Sequence, residues 1–86
     1  MKYKEFKVEA EKWGLRVDRR SGEDYVVAGG GFNWPIASIS RLEPCHLDTM
    51  NLYGRMLNEE YFRQVFHILV KFAQTSIKER RYEEGD

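Results

Sequence analysis

Apolar positions in this chain change period twice. Tyr3, Phe6, Ala10 and Trp13 recur three and four residues apart. That spacing predicts an amphipathic helix over Lys2 to Trp13, with Val8 off the stripe and partly exposed. Gly14 is placed to end the helix in a left-handed cap. The period then drops to two. Leu15, Val17 and Arg19 fall on one side of a strand, Arg16 and Asp18 on the other. Ser21-Gly22 reads as a turn, so Asp24 to Ala28 should return antiparallel, with Tyr25 and Val27 facing one way and Val26 the other. Gly29-Gly30-Gly31 makes a second turn, in which glycine lowers the cost of positive φ but raises the entropy cost of ordering. A third strand is expected from Phe32 to Leu42. Pro35 lacks a ladder donor and marks a sheet edge or a bulge.

Pro44 closes the strand region. Cys45 to Met56 has apolar residues but no clean period, and reads as a loop packed inward over the core. Helical spacing returns after Asn58, an N-cap residue followed by Glu59 and Glu60, where the helix dipole favours acid. Tyr61, Phe62, Val65, Phe66, Leu69, Phe72 and Ala73 form its stripe, widened by Ile68. Phe66 and Leu69 are expected among its core residues. Thr75-Ser76 weakens the helix, Ile77 to Arg81 continues as a turn, and residues 82–86 are expected to form a frayed tail. The order α-β-β-β-α predicts one α+β domain over residues 1–81. Its three-stranded antiparallel sheet would carry both helices on one face.

Composition narrows the function classes. The 86 residues give room for one core, and 42% hydrophobic with 14% aromatic residues argues against disorder. Charged residues make up 33% with a formal net charge of +0, where a dedicated nucleic-acid binder carries a basic excess. The signs are unevenly spread. Lys2, Lys4, Lys7, Lys12, Arg16, Arg19 and Arg20 crowd the first half, diluted by Glu5, Glu9, Glu11 and Asp18. A single cysteine, Cys45, makes no internal disulfide. Met1 to Gly14 is charged and has no apolar signal-peptide region, and no apolar run approaches the roughly 20 residues that span a bilayer. A cytoplasmic protein without membrane association is the expectation.

Several short segments resemble a group of proteins. Met1-Lys2-Tyr3-Lys4-Glu5-Phe6-Lys7, with Gly14-Leu15 after it, resembles the start of small uncharacterised proteins from phages and prophages of Gram-positive bacteria. Ile36-Ala37-Ser38-Ile39-Ser40, Leu47-Asp48-Thr49 and Thr75-Ser76-Ile77-Lys78-Glu79-Arg80 resemble their later parts. In that group the last segment reads Thr-Pro-Ile followed by Glu-Arg, and here Ser76 stands in place of the proline. The resemblance implies an accessory protein of a mobile element, acting in a bacterial host cytoplasm, and carries no activity with it. The element order is also similar to double-stranded-RNA-binding domains. Those grip phosphates with a lysine cluster at the start of the last helix, where this chain has Asn58, Glu59 and Glu60. A related group of toxin ribonucleases places a catalytic histidine on the second strand, and Asp24 to Ala28 contains none. The shared topology therefore transfers neither function.

Candidate chemistry is sparse. Cys45, His46, Asp48 and His67 lack zinc-ligand spacing, so no metal or cofactor is expected. The glycine triplet joins two strands, unlike a phosphate loop, which opens a helix. His67 is expected at the border of the helix stripe with its ring partly buried. A Cys45–His67 pair defines the enzymatic alternative, a small hydrolase. Phe32 and Trp34, beside Pro35 at an expected sheet edge, are the foremost partner-contact candidates, because exposed aromatics anchor interfaces. Arg41 and Tyr53 complete that set. The leading expectation is a non-enzymatic protein-binding module acting on a host or phage protein, with inhibition of a host defence as one version. A homodimer is expected wherever the helix stripe exceeds what the sheet covers. A nucleic-acid-binding protein using the basic first half is the alternative from another class.

Overall fold

The computed structural model describes residues 1–28, 35–49 and 59–85. The first helix, α1, spans Tyr3–Lys12. The Glu5 carboxylate accepts a hydrogen bond from the Lys2 amide at 2.9 Å, satisfying one free donor of its first turn. Gly14 then adopts φ +76°, and its amide donates to the Glu11 carbonyl. Glycine reaches this left-handed geometry without a Cβ penalty, so the chain turns sharply into the sheet.

Four strands follow, β1 Leu15–Arg20, β2 Glu23–Ala28, β3 Pro35–Ser40 and β4 Leu47–Asp48. They pair antiparallel in sequence order as a meander. The β1–β2 turn has φ 45° at Ser21 and 81° at Gly22. Two positive values in succession match the right-handed twist of a two-residue hairpin. Pro35 opens β3 opposite Val27, and the register shifts between Val26 and Val27. A proline at the first strand position, next to a bulge, loses no needed ladder bond.

The fourth strand corrects the expected three. Leu47 pairs with Ile39 and Asp48 with Ser38, inside the stretch read as loop. A two-residue strand is too short to display a period, which explains its invisibility in the pattern. Its pairing makes β3 an interior strand, and residues 36–40 are buried without alternation.

Helix α2 spans Glu59–Gln74, a one-turn 3₁₀ segment spans Lys78–Arg80, and the short helix α3 spans Tyr82–Gly85. Both long helices cover one sheet face. Tyr3, Phe6 and Ala10 of α1 meet Val65, Leu69, Phe72 and Ala73 of α2 over Val26, Ile36, Ala37 and Ile39. The Phe6 and Phe72 rings stack at 4.2 Å between centroids, nearly parallel. Phe66 departs from its expected place in the core: it is 37% exposed, whereas Leu69 is 1% exposed. Ridge geometry explains this. Val65, Leu69 and Phe72 are spaced four and three apart along the line facing the sheet, and Phe66 lies about 100° round the helix from Val65. Tyr82, placed by the sequence pattern at the start of a frayed tail, instead docks against Tyr3 with ring centroids 5.0 Å apart.

Candidate functional site

Both long helices pack on one sheet face, and among the described residues no helix lies against the other, where Val27 and Ser38 are nevertheless 0% and 2% exposed. Arg16, Asp18 and Arg20 of β1 lie on that face beside Val27, Tyr25 and Glu23 of β2, their respective partners. The register continues outward, so Asp18, Tyr25, Ser38 and Asp48 form one row across all four strands. Tyr25 is half-buried at the middle of the row. The Arg20 guanidinium lies 5.4 Å from its ring centroid, within cation–π range. A hydrogen bond to the Glu23 carboxylate, reinforced by that charge, holds the Tyr25 hydroxyl above its ordinary pKa. Asp18 accepts from Arg16 at 3.0 and 3.1 Å and from Arg20 at 3.4 Å. The Arg16 hydrogen bond is the main cause that lowers the Asp18 pKa. At the far end Glu23, Ser38, His46, Leu47 and Asp48 line a shallow cleft. The face thus offers a tyrosine, two arginines and carboxylates in a fixed register, which suits recognition of a polar surface.

The helix-covered side hides a second polar group. Asp24 lies beside Val26 on the core face and is 0% exposed, as is Arg80, while Arg41 is 7% exposed. The Asp24 carboxylate accepts from the Tyr82 hydroxyl at 2.7 Å and lies 3.5 Å from Arg41 Nη1. Arg41 stacks over the Tyr82 ring at 3.9 Å. Arg80 donates to the main-chain carbonyls of Ser40 at 2.5 Å, Ala73 at 3.0 Å and Thr75 at 3.0 Å, and to the Tyr82 hydroxyl at 3.0 Å. Ala73 and Thr75 lie at the C-terminal end of α2, where the helix dipole is negative, so the Arg80 charge is compensated by oriented carbonyls, while its link to Asp24 runs through the Tyr82 hydroxyl. Burial, then the hydrogen bond to Asp24, pushes the Tyr82 hydroxyl far above its ordinary pKa. This network clamps β2, β3 and the end of α2 together.

Arg41 therefore sits inside the structure, in place of the surface position expected of a partner contact. Phe32, Trp34 and Tyr53 lie outside the described residues. Cys45 is exposed and lines an apolar cleft with Leu47, Val70, Ala73 and Gln74. His67 is exposed, correcting the partly buried ring, and lines a separate cleft with Trp13, Gln64 and Lys71. The geometry does not assemble Cys45 and His67 as a pair. Among the described residues no cluster of three or more histidine, cysteine or carboxylate side chains is placed to hold a metal ion. No helix among them is long and apolar enough to cross a membrane. The basic side chains of the first half are interleaved with acid: Lys12 pairs with Glu9 at 2.9 Å, and Arg16 and Arg20 share Asp18.

Pattern reading passed over Tyr25 as a contact residue and named Arg20 only within the basic first half, although the alternation assigns Tyr25 to the face opposite Val26. The signal for Asp24 was also present, since an acid in phase with Val26 on a core-facing side needs a buried partner. Searches against protein-family models, curated proteins and solved structures found no match for this chain.

Proposed function

We propose that this chain is a non-enzymatic protein-binding module that uses the sheet face opposite its two long helices to hold a polar surface of a partner. The observation that carries the reading is the Tyr25–Arg20 pair on that face, with Tyr25 on an interior strand and Arg16, Glu23 and Asp48 around it. Tyrosine and arginine are the residue types that contribute most to binding when desolvated at the centre of an interface. Acid interleaved among the basic groups disfavours a phosphate backbone, which selects for a net positive strip. The resemblance of Met1 to Lys7 and of the later segments supports an accessory protein of a phage or prophage. In this reading it acts on a host or phage protein in a bacterial cytoplasm, and blocking a host defence protein is one such role.

The test is capture from a bacterial lysate with tagged protein, with and without nuclease treatment. Wild type should retain a defined protein that persists after nuclease. A Tyr25→Ala, Arg20→Ala variant should lose it while its far-UV circular dichroism is unchanged. Capture that disappears with nuclease would move the assignment to nucleic acid. Capture that survives in the folded variant would remove the sheet face from the function.

A further inference from the structure

We infer that the outer edge of β1 is a self-pairing edge, on which a second copy of this chain docks antiparallel about a two-fold axis through Val17. Among the described residues β1 is an outer strand of the sheet and pairs only with β2. The hairpin fixes which backbone groups face outward. In a two-residue turn the flanking residues, here Arg20 and Glu23, form a hydrogen-bonded pair. Asp18 and Arg16, in phase with Arg20, then direct their N–H and C=O toward β2. Val17 and Leu15, out of phase, direct theirs outward. A two-fold axis at Val17 joins the two Val17 residues as a hydrogen-bonded pair across the new seam.

Charge selects this register over its neighbours. Centred on Val17, each Arg16 faces Asp18 of the second copy on the face opposite the long helices, twice over. These are non-hydrogen-bonded positions, where opposing side chains approach most closely. Centring on Asp18 would set Asp18 against itself and Arg16 against Arg20. Centring on Arg16 sets that residue against itself. Centring on Arg19 sets Arg19 against itself and runs into the turn at Ser21. Only the Val17 register places opposite charges together and no like charges opposite one another. Arg16 and Asp18 are 49% and 29% exposed at the side chain, so both can reach across.

The helix above this edge is compatible with the same partner. Glu5 and Glu9 of α1 line the cleft toward α2. By helical spacing Lys7 and Glu11 occupy the opposite flank, over β1, where two copies of α1 would approach with opposite charges available. The product is one eight-stranded sheet with the long helices of both copies on one face and the Arg16–Asp18 pairs on the other. The inference is separable from the proposed function, because a monomer could still hold a partner through Tyr25.

The test is sedimentation-equilibrium mass between about 1 µM and 1 mM, set against the 10.2 kDa of one chain. Wild type should approach twice that mass as concentration rises. Val17→Pro removes the outward donor together with the packing of the Val17 side chain against the core, so it is compared only where far-UV circular dichroism shows it folded, and it should then lose the doubling. Arg16→Asp or Asp18→Arg alone places like charges opposite and should weaken association at least tenfold. The double exchange Arg16→Asp with Asp18→Arg restores opposite charges and should recover most of it. A wild type that stays at one-chain mass throughout overturns the proposal. So does a dimer that the folded single exchanges leave unchanged, or one that the double exchange does not restore.

Discussion

Replacing Asp24 by asparagine probes the buried polar network at its carboxylate. The substitution keeps the shape and the acceptor for the Tyr82 hydroxyl, but it removes the charge facing Arg41 at 3.5 Å. Coulomb attraction at that distance, with an effective dielectric near 20, is about 5 kcal/mol. Removing one member of a buried pair costs about 3–5 kcal/mol, because the other charge stays desolvated. Asp24 is 0% exposed and Arg41 7% exposed, so solvent screens little of this. A domain of this size has roughly 4–13 kcal/mol of stability in all. With a urea m-value of about 1 kcal/mol/M, the unfolding midpoint should fall by about 3 M or more, followed by circular dichroism. Adding Arg41→Met removes the stranded cation and should return about 1–3 kcal/mol of the loss through coupling. A single variant within about 0.5 M of wild type refutes the argument. Strictly additive losses in the pair would refute the assignment of the effect to the Asp24–Arg41 contact.

Three further outcomes are expected. Leu69→Ala should cost about 2–5 kcal/mol in urea unfolding and Phe66→Ala only about 1 kcal/mol, since the buried leucine leaves a sealed cavity and the phenylalanine ring is partly in solvent; equal losses would place both in the core. The raised pKa of Tyr82 means its folded hydroxyl keeps its proton when the unfolded one, near pH 10, has lost it. Its stabilising contribution is therefore complete below about pH 10 and is lost as pH rises beyond. Thermal midpoints of Tyr82→Phe should decline less steeply than wild type above about pH 10, and parallel declines would exclude the coupling. Gly22→Ala should lose about 1–2 kcal/mol to its φ of +81° alone, since the nearest atom to the added methyl is Leu42 Cδ1 at 3.7 Å. Gly22→Asn should recover part of that loss, and equal thermal midpoints for glycine and alanine would contradict it.

Periodicity made α1, the first two strands and α2 legible, because each is long enough to display its repeat. The glycine at position 14 and the Ser21-Gly22 pair were legible for the same local reason, the need for positive φ. β4 was not, since Leu47 and Asp48 become a strand only by pairing with Ile39 and Ser38. Arg41 and Tyr82 were misplaced because nothing near them in sequence announces Asp24 as a partner. Their burial is set by side chains 17 and 58 positions away. Phe66 looked like core because a wide apolar stripe does not say where its centre falls. The sheet face opposite the long helices was half legible: alternation assigned Tyr25 to it, but only the placement of both long helices on the other side separates it from the core face.

The network around Asp24 also has a bearing on the order of folding events. Its contacts close large loops, with 58 positions between Asp24 and Tyr82 and 40 between Ser40 and Arg80. The β1–β2 hairpin, by contrast, closes over two residues. Long closures are entropically costly and tend to form after local ones. The clamp should then be largely absent from the folding transition state, with the hairpin and α2 formed ahead of it. Substitutions in Asp24, Arg80 or Tyr82 would accelerate unfolding and leave the folding rate nearly unchanged. The buried arginines would thus govern how long a folded molecule persists, and the turn at Gly22 how quickly it forms.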